Sequence, residues 1–336
     1  MLIDVNRLSA SVDDLLAGAE RREPFVNPDG RSTAAFERVW IDGRPHVVKY
    51  MHLDDDFAMR ASGDVGCRAA RAWAAGLLDA RPDLIDHAVV GAALGQGRNG
   101  WGAALLMRDV SADLLPDDGS VLPLALHDRF IDHVAGFSAA TWGFHDDGVS
   151  GLVPYATRWA FFGVDAIDAE REIGWRERVP EIAAEGWTRF ANLVPADVFE
   201  VVDALRRDVF PLADALEQTP SCLLHGDVKA SNTGADADGR TVLIDWAYVG
   251  EGPVCHDIAW HLALDRARLP RSKEATAEEF RRALEGHGVD TSGWWDRQLG
   301  LCLLGGLVQF GWEKALGDTV ELDWWCQVAR AGAAYL

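Results

Sequence analysis

Asp227, Lys229 and Asn232 fall within six residues of one another, and Asp245 follows thirteen positions after Asn232. Each acid stands just behind a short apolar run, 222–224 before His225-Gly226-Asp227 and 242–244 before Asp245. Such runs read as buried strands, which would place the polar groups together at the ends of neighbouring strands. An acid, a cation and an amide arranged this way suit phosphoryl transfer from a nucleotide, which needs positioning and charge neutralisation more than covalent help. Asp227 would take the proton of an attacking hydroxyl. Asn232 and Asp245 offer the hard oxygens that Mg2+ prefers. Lys229 would neutralise charge on the group in flight. The competing reading is a polar turn between two buried strands, with Asp245 as a helix cap or turn former.

The pattern His225-Gly226-Asp227-x-Lys229-x-x-Asn232 resembles the catalytic loop of the aminoglycoside phosphotransferase family, within the protein-kinase-like superfamily of small-molecule kinases. Ile244-Asp245-Trp246 is similar to that family's metal-binding motif, and Gly252-Pro253…Asp257-Ile258-Ala259 to the helix start behind it. His-Gly-Asp alone says little; the agreement of several separate spacings carries the resemblance. It implies an α+β, protein-kinase-like, two-lobed fold. Residues 1–107 would form a small N-lobe with an antiparallel sheet that covers the nucleotide. Residues 108–336 would form a larger, mostly helical C-lobe with the catalytic loop, the metal site and the acceptor-binding helices. It also implies transfer of the γ-phosphoryl of ATP or GTP, with Mg2+, to a hydroxyl of a small cationic molecule such as an aminoglycoside or amino sugar. Antibiotic resistance is one role that family serves. A choline or amino-alcohol kinase is the alternative, and a nucleotide-binding pseudokinase scaffold is the rival of another class. His225 would be a structural residue bonding within the loop, and Asp257 would brace that loop.

The elements that must position these groups follow from apolar spacing. Residues 9–20 read as a short helix capped by Ser11, and Pro28–Thr33 as a turn. Two strands, 34–41 and 46–51, are joined by Asp42-Gly43-Arg44-Pro45 as a hairpin. By the resemblance this hairpin covers the phosphates: Lys49 is the nucleotide lysine, with Ser32 and Thr33 supplementing a glycine-poor loop. A lone strand lysine is otherwise a solvated side chain. Residues 57–80 read as one helix, on which Asp64 is the mid-helix acid for Lys49, or else faces solvent. Residues 85–92 and 101–107 read as strands. Met107 and Asp109 then fall at the hinge, where kinase-like proteins read adenine with backbone groups. Helices are expected over 122–142, 165–176, 180–191, 196–216, 258–264, 276–286, 294–316 and 320–335. The last of these carry Trp294, Trp295, Trp312, Trp324 and Trp325 among acids; that surface would hold an amine by charge and cation–π contact, or the rings are core.

Composition bounds the rest. Hydrophobic residues at 49% and charged residues at 25% describe an ordinary globular chain. The net charge of −21, from 32 basic and 53 acidic residues, argues against nucleic acid and anionic membranes as partners and attracts cations; it also serves solubility. Five scattered cysteines form no Cys-x-x-Cys pair, which fits a reducing cytoplasm better than a zinc site or a disulfide framework. No signal peptide or membrane span is expected, and the chain is expected to act as a monomer or homodimer.

Overall fold

In the computed structural model, which describes residues 4–25, 35–97, 100–116, 118–148 and 151–336, the turn Asp42-Gly43 sets the register of the N-terminal sheet. Both residues have positive φ, 51° and 67°. A two-residue hairpin requires this pair of left-handed conformations, and Asp and Gly adopt them readily. Ala35–Ile41 therefore folds back on Arg44–Met51. Val39 and Val48 close a small core on one face with Leu16, Ala104 and Leu106. Lys49, the next residue, consequently projects from the other face. The full sheet runs Leu8–Ser9, Val89–Gly97, Gly100–Arg108, Arg44–Met51, Ala35–Ile41 and Ala19–Phe25, antiparallel throughout except for the outermost pair formed by Leu8–Ser9. The residues Pro28–Thr33, including Ser32 and Thr33, lie outside the described residues.

The single helix expected over 57–80 is two helices, Phe57–Ala61 and Arg68–Ala74. Gly63 and Cys67 break it with positive φ of 64° and 55°. Asp64 sits in the turn between them, where its carboxylate accepts the Arg68 N–H at 2.9 and 3.0 Å and starts the second helix. The first helix is clasped to the helical part of the chain. The Arg60 guanidinium bonds both oxygens of Glu170, at 2.6 and 2.9 Å, and Glu177 at 3.0 Å; the Phe57 N–H also donates to Glu177.

Beyond Gly100–Arg108 the chain is chiefly helical. The helix expected over 196–216 is divided into Ala196–Arg207 and Phe210–Glu217, because Pro211 can begin a helix but not continue one. Trp295–Leu316 is the axis of the core and packs against Thr319–Ala333, Arg178–Leu193 and His256–Leu264. Trp295, Trp312 and Trp325 are buried in that core, each contributing roughly 2–3 kcal/mol by leaving water. Trp324 is half-buried, but its ring already carries the Lys273 ammonium 4.5 Å from its centroid. Glu321 binds the same ammonium at 2.5 Å. An internal cation thus occupies the face of Trp324. All five cysteines are buried and unpaired. No helix among the described residues is long and apolar enough to cross a membrane.

Candidate active site

The strand Ser221–Leu224 pairs antiparallel with Gly250–Pro253, and the loop starts where this ladder ends. Gly226 turns the chain with φ 83°, and a Cβ there would collide with the Tyr248 carbonyl oxygen, so the turn admits only glycine. Asp257, in the first turn of His256–Leu264, accepts the N–H groups of His225 at 3.0 Å and Gly226 at 2.9 Å. Burial pushes its carboxyl up, but His256, His225 and the Gly226 N–H outweigh it and hold the group below its ordinary value. Burial lowers the His225 imidazole, leaving it neutral. Its Nδ1 accepts the Asp227 N–H at 3.1 Å, so its Nε2 carries the proton and donates to the Ile244 carbonyl at 3.0 Å. Asp265 fixes the far side of the loop by accepting the Ala230 N–H at 2.8 Å.

Asp227 is 4% exposed and is met by three side-chain donors. Trp260 Nε1–H reaches Oδ1 at 2.8 Å, while Lys229 Nζ and Asn232 Nδ2 reach Oδ2 at 2.7 and 2.9 Å. The same Asn232 amide donates to the Asp227 carbonyl at 3.0 Å. With its nitrogen turned inward, Asn232 presents Oδ1 elsewhere. The Ile244 N–H donates to the Asn232 carbonyl at 3.0 Å, which lays the end of Thr241–Leu243 beside the loop. Asp245 comes next, with φ 64°, a conformation that costs a non-glycine residue about 1–3 kcal/mol and persists only where the surroundings impose it.

Asp245 Oδ1 accepts from Lys49 Nζ at 2.9 Å. Burial pushes the Asp245 carboxyl up, but Lys49 and Lys229 overcome this and hold it at about 2. Burial pushes the Lys49 ammonium down, yet Asp245, then Asp56, and also Asp227 keep it above its ordinary value. Both partners are therefore charged at neutral pH. Among the described residues, no hydrogen-bond donor meets Asn232 Oδ1 or Asp245 Oδ2. One amide oxygen and one carboxylate oxygen on adjoining chain ends fit Mg2+, which takes one or two protein oxygens and fills its shell with phosphate and water. No group of three or more His, Cys, Asp or Glu side chains that could cage a metal occurs among the described residues.

The structure thus brings together Asp227, Lys229, Asn232, Asp245, His225, Asp257 and Lys49. It does not bring Asp64 to Lys49: that carboxylate is committed to Arg68, and Lys49 bonds Asp245 instead. The acid from this region whose charge does reach Lys49 is Asp56, which caps Phe57–Ala61 through the Met59 N–H at 3.2 Å. Met107 lies mid-sheet between Val47 and Val89 rather than at a free edge. The Asp109 carboxylate is turned to Arg38 at 2.7 Å and to the Ser111 N–H at 3.1 Å. The contacts of Trp260 and Asp265 are not anticipated by the motifs. Trp260 was within reach of sequence reasoning, since it follows Asp257 by three on one helix and shares its face.

An antiparallel sheet carrying a buried lysine, set over a helical part that supplies an Asp/Asn loop and a second acid, defines a kinase-like phosphotransferase. The chain belongs to the phosphotransferase enzyme family, whose profile matches residues 88–291, more than half of its length. It is a small-molecule phosphotransferase. In fold it is similar to a Plasmodium vivax ethanolamine kinase, with 12% identity, a TM-score of 0.52, and 94% of this chain and 84% of that one covered. A choline kinase from Streptococcus pneumoniae gives 11%, 0.51, and 97% and 98%. An amicoumacin kinase solved with AMP-PNP and Ca2+ gives 11%, 0.51, and 95% and 91%. At such identities the likeness concerns the fold alone. No curated protein sequence matches this one.

Proposed function

We propose that the protein moves the γ-phosphoryl of ATP or GTP to a hydroxyl of a small cationic acceptor, an amino sugar or an amino alcohol. The observation that carries this reading is the convergence of Asp227, Asn232 and Asp245 with Lys49 and Lys229. The acceptor oxygen bonds to the γ-phosphorus, the β–γ bridging oxygen leaves with the nucleoside diphosphate, and the hydroxyl proton passes to Asp227. Lys229, with a side chain 30% exposed, has the freedom to leave Asp227 and follow the phosphoryl oxygens. Lys49, 8% exposed, would hold the α- and β-phosphates. Asn232 and Asp245 would hold Mg2+, which when bound neutralises phosphate charge. A cationic acceptor is favoured by the net charge of −21.

The deciding experiment is release of ADP with and without Mg2+ over a panel of aminoglycosides, amino sugars, choline, ethanolamine and neutral sugars. The reading expects Mg2+-dependent release with at least one amine-bearing alcohol. Thermal stabilisation by nucleotide with no release for any acceptor would instead mark a nucleotide-binding scaffold.

A further inference from the structure

Every oxygen of the Asp227 carboxylate is already in use, and one of the donors belongs to no motif. A carboxylate offers about four lone-pair positions. Oδ2 fills its two with Lys229 and Asn232, and Oδ1 fills one with the indole N–H of Trp260 at 2.8 Å. One position remains on Oδ1, the oxygen that Trp260 holds, and stays there whether Lys229 rests on Oδ2 or follows the phosphoryl oxygens. We propose that Trp260 is a positioning residue for phosphoryl transfer: its N–H fixes the plane of the Asp227 carboxylate so that the remaining Oδ1 lone pair faces the acceptor hydroxyl.

Packing alone does not explain the contact. The same helical core buries the indole nitrogens of Trp187 and Trp312 with no hydrogen-bond partner among the described residues, so the fold tolerates an unanswered indole N–H. The Trp260 ring is held by other means: His256 stacks on it at 5.5 Å and Phe310 meets it edge-on at 4.7 Å. Its backbone lies one helical turn beyond Asp257, which anchors the loop through His225 and Gly226. One helix thus sets both the main chain of the loop and the orientation of its acid. The Tyr248 ring packs 5.8 Å from the Trp260 ring.

The proposal rests on the reading of Asp227 as the proton acceptor, and the test separates the two. Trp260 is replaced by β-(3-benzothienyl)alanine, which keeps the bicyclic shape and lacks the N–H, and in parallel by Phe. Loss of a hydrogen bond to a charged group predicts that kcat falls roughly 10- to 100-fold, with KM for Mg-ATP and for the acceptor held within about twofold. In a second arm, NMR follows the indole N–H resonance of Trp260, identified by its disappearance in Trp260→Phe; it is expected to lie downfield and to move back in Asp227→Asn. A benzothienyl variant with kcat within twofold of the unchanged chain overturns the proposal, as does a resonance indifferent to Asp227→Asn. Absence of ADP release by the unchanged chain with every acceptor, and with water, overturns the parent reading; the NMR arm then decides the Trp260–Asp227 link alone.

Discussion

Removing the Asp257 carboxylate should loosen the catalytic loop measurably. Asp257→Ala strands the N–H groups of His225 and Gly226, both held by this 2%-exposed side chain at 3.0 and 2.9 Å. An orphaned buried donor costs about 1–3 kcal/mol. Two of them, relieved in part by water entering the vacated space, give a loss of about 3 kcal/mol. At an unfolding entropy of about 2.1 cal/mol/K per residue, the whole chain carries roughly 0.7 kcal/mol/K, so Tm should fall by about 4 °C. Asp257→Asn keeps one acceptor but turns an N–H toward a second N–H, and should lose about half as much. Turnover should suffer more than stability, because Asp227 follows the two freed amides directly; kcat should drop on the order of 100-fold. Differential scanning calorimetry and steady-state ADP release read both quantities. A Tm within 1 °C of the unchanged chain, or a full kcat beside a lowered Tm, would refute the claim that this carboxylate holds the loop in its working shape.

Asp227→Ala should abolish turnover while nucleotide affinity, measured by calorimetry, stays within a few-fold. Lys49→Met should raise the KM for ATP about tenfold or more, since the proposed contact of its buried ammonium with phosphate is lost while the sheet keeps its packing. The Lys49–Asp245 pair also predicts a pH dependence. A carboxyl lowered from 3.8 to about 2 supplies stability that is complete above pH 3.8 and lost as pH falls through about 2. With the Asp245 side chain 36% exposed, solvent screening brings its share to about 1 kcal/mol, and Lys49→Met should move the loss to higher pH in acid-titrated unfolding. Gly226→Ala should fail to give active enzyme, because its Cβ meets the Tyr248 carbonyl and its φ is 83°; soluble protein with ordinary activity would contradict that geometry.

The loop and the acid that meets it, Asp245, are legible in sequence because their logic is local. His225, Asp227, Lys229 and Asn232 act within one turn of chain, and apolar runs mark the strands on either side. Contacts between distant segments are less legible. Lys49 and Asp245 lie 196 positions apart, so nothing in either neighbourhood announces that the lysine bonds this acid rather than Asp64. Ala19–Phe25 is an edge strand with most residues exposed, so its side chains show no apolar alternation. Trp295–Leu316 is buried around nearly its whole circumference, which removes the contrast that separates a core tryptophan from a surface one. The break at 62–67 depends on left-handed backbone at Gly63 and Cys67, and the cysteine carries no such signal.

The Arg60 clasp has a mechanical consequence. It ties the segment just after the Lys49 strand to Glu170 and Glu177 on the helical side. Lys49 itself is tied across at Asp245. The sheet side is thus fastened to the helical side twice, at the lysine and at the helix that follows its strand. Spin-label distances between Phe57–Ala61 and Val164–Glu172 should broaden little in Arg60→Lys and more in Arg60→Ala, where the guanidinium clasp is gone and the Lys49–Asp245 tie remains.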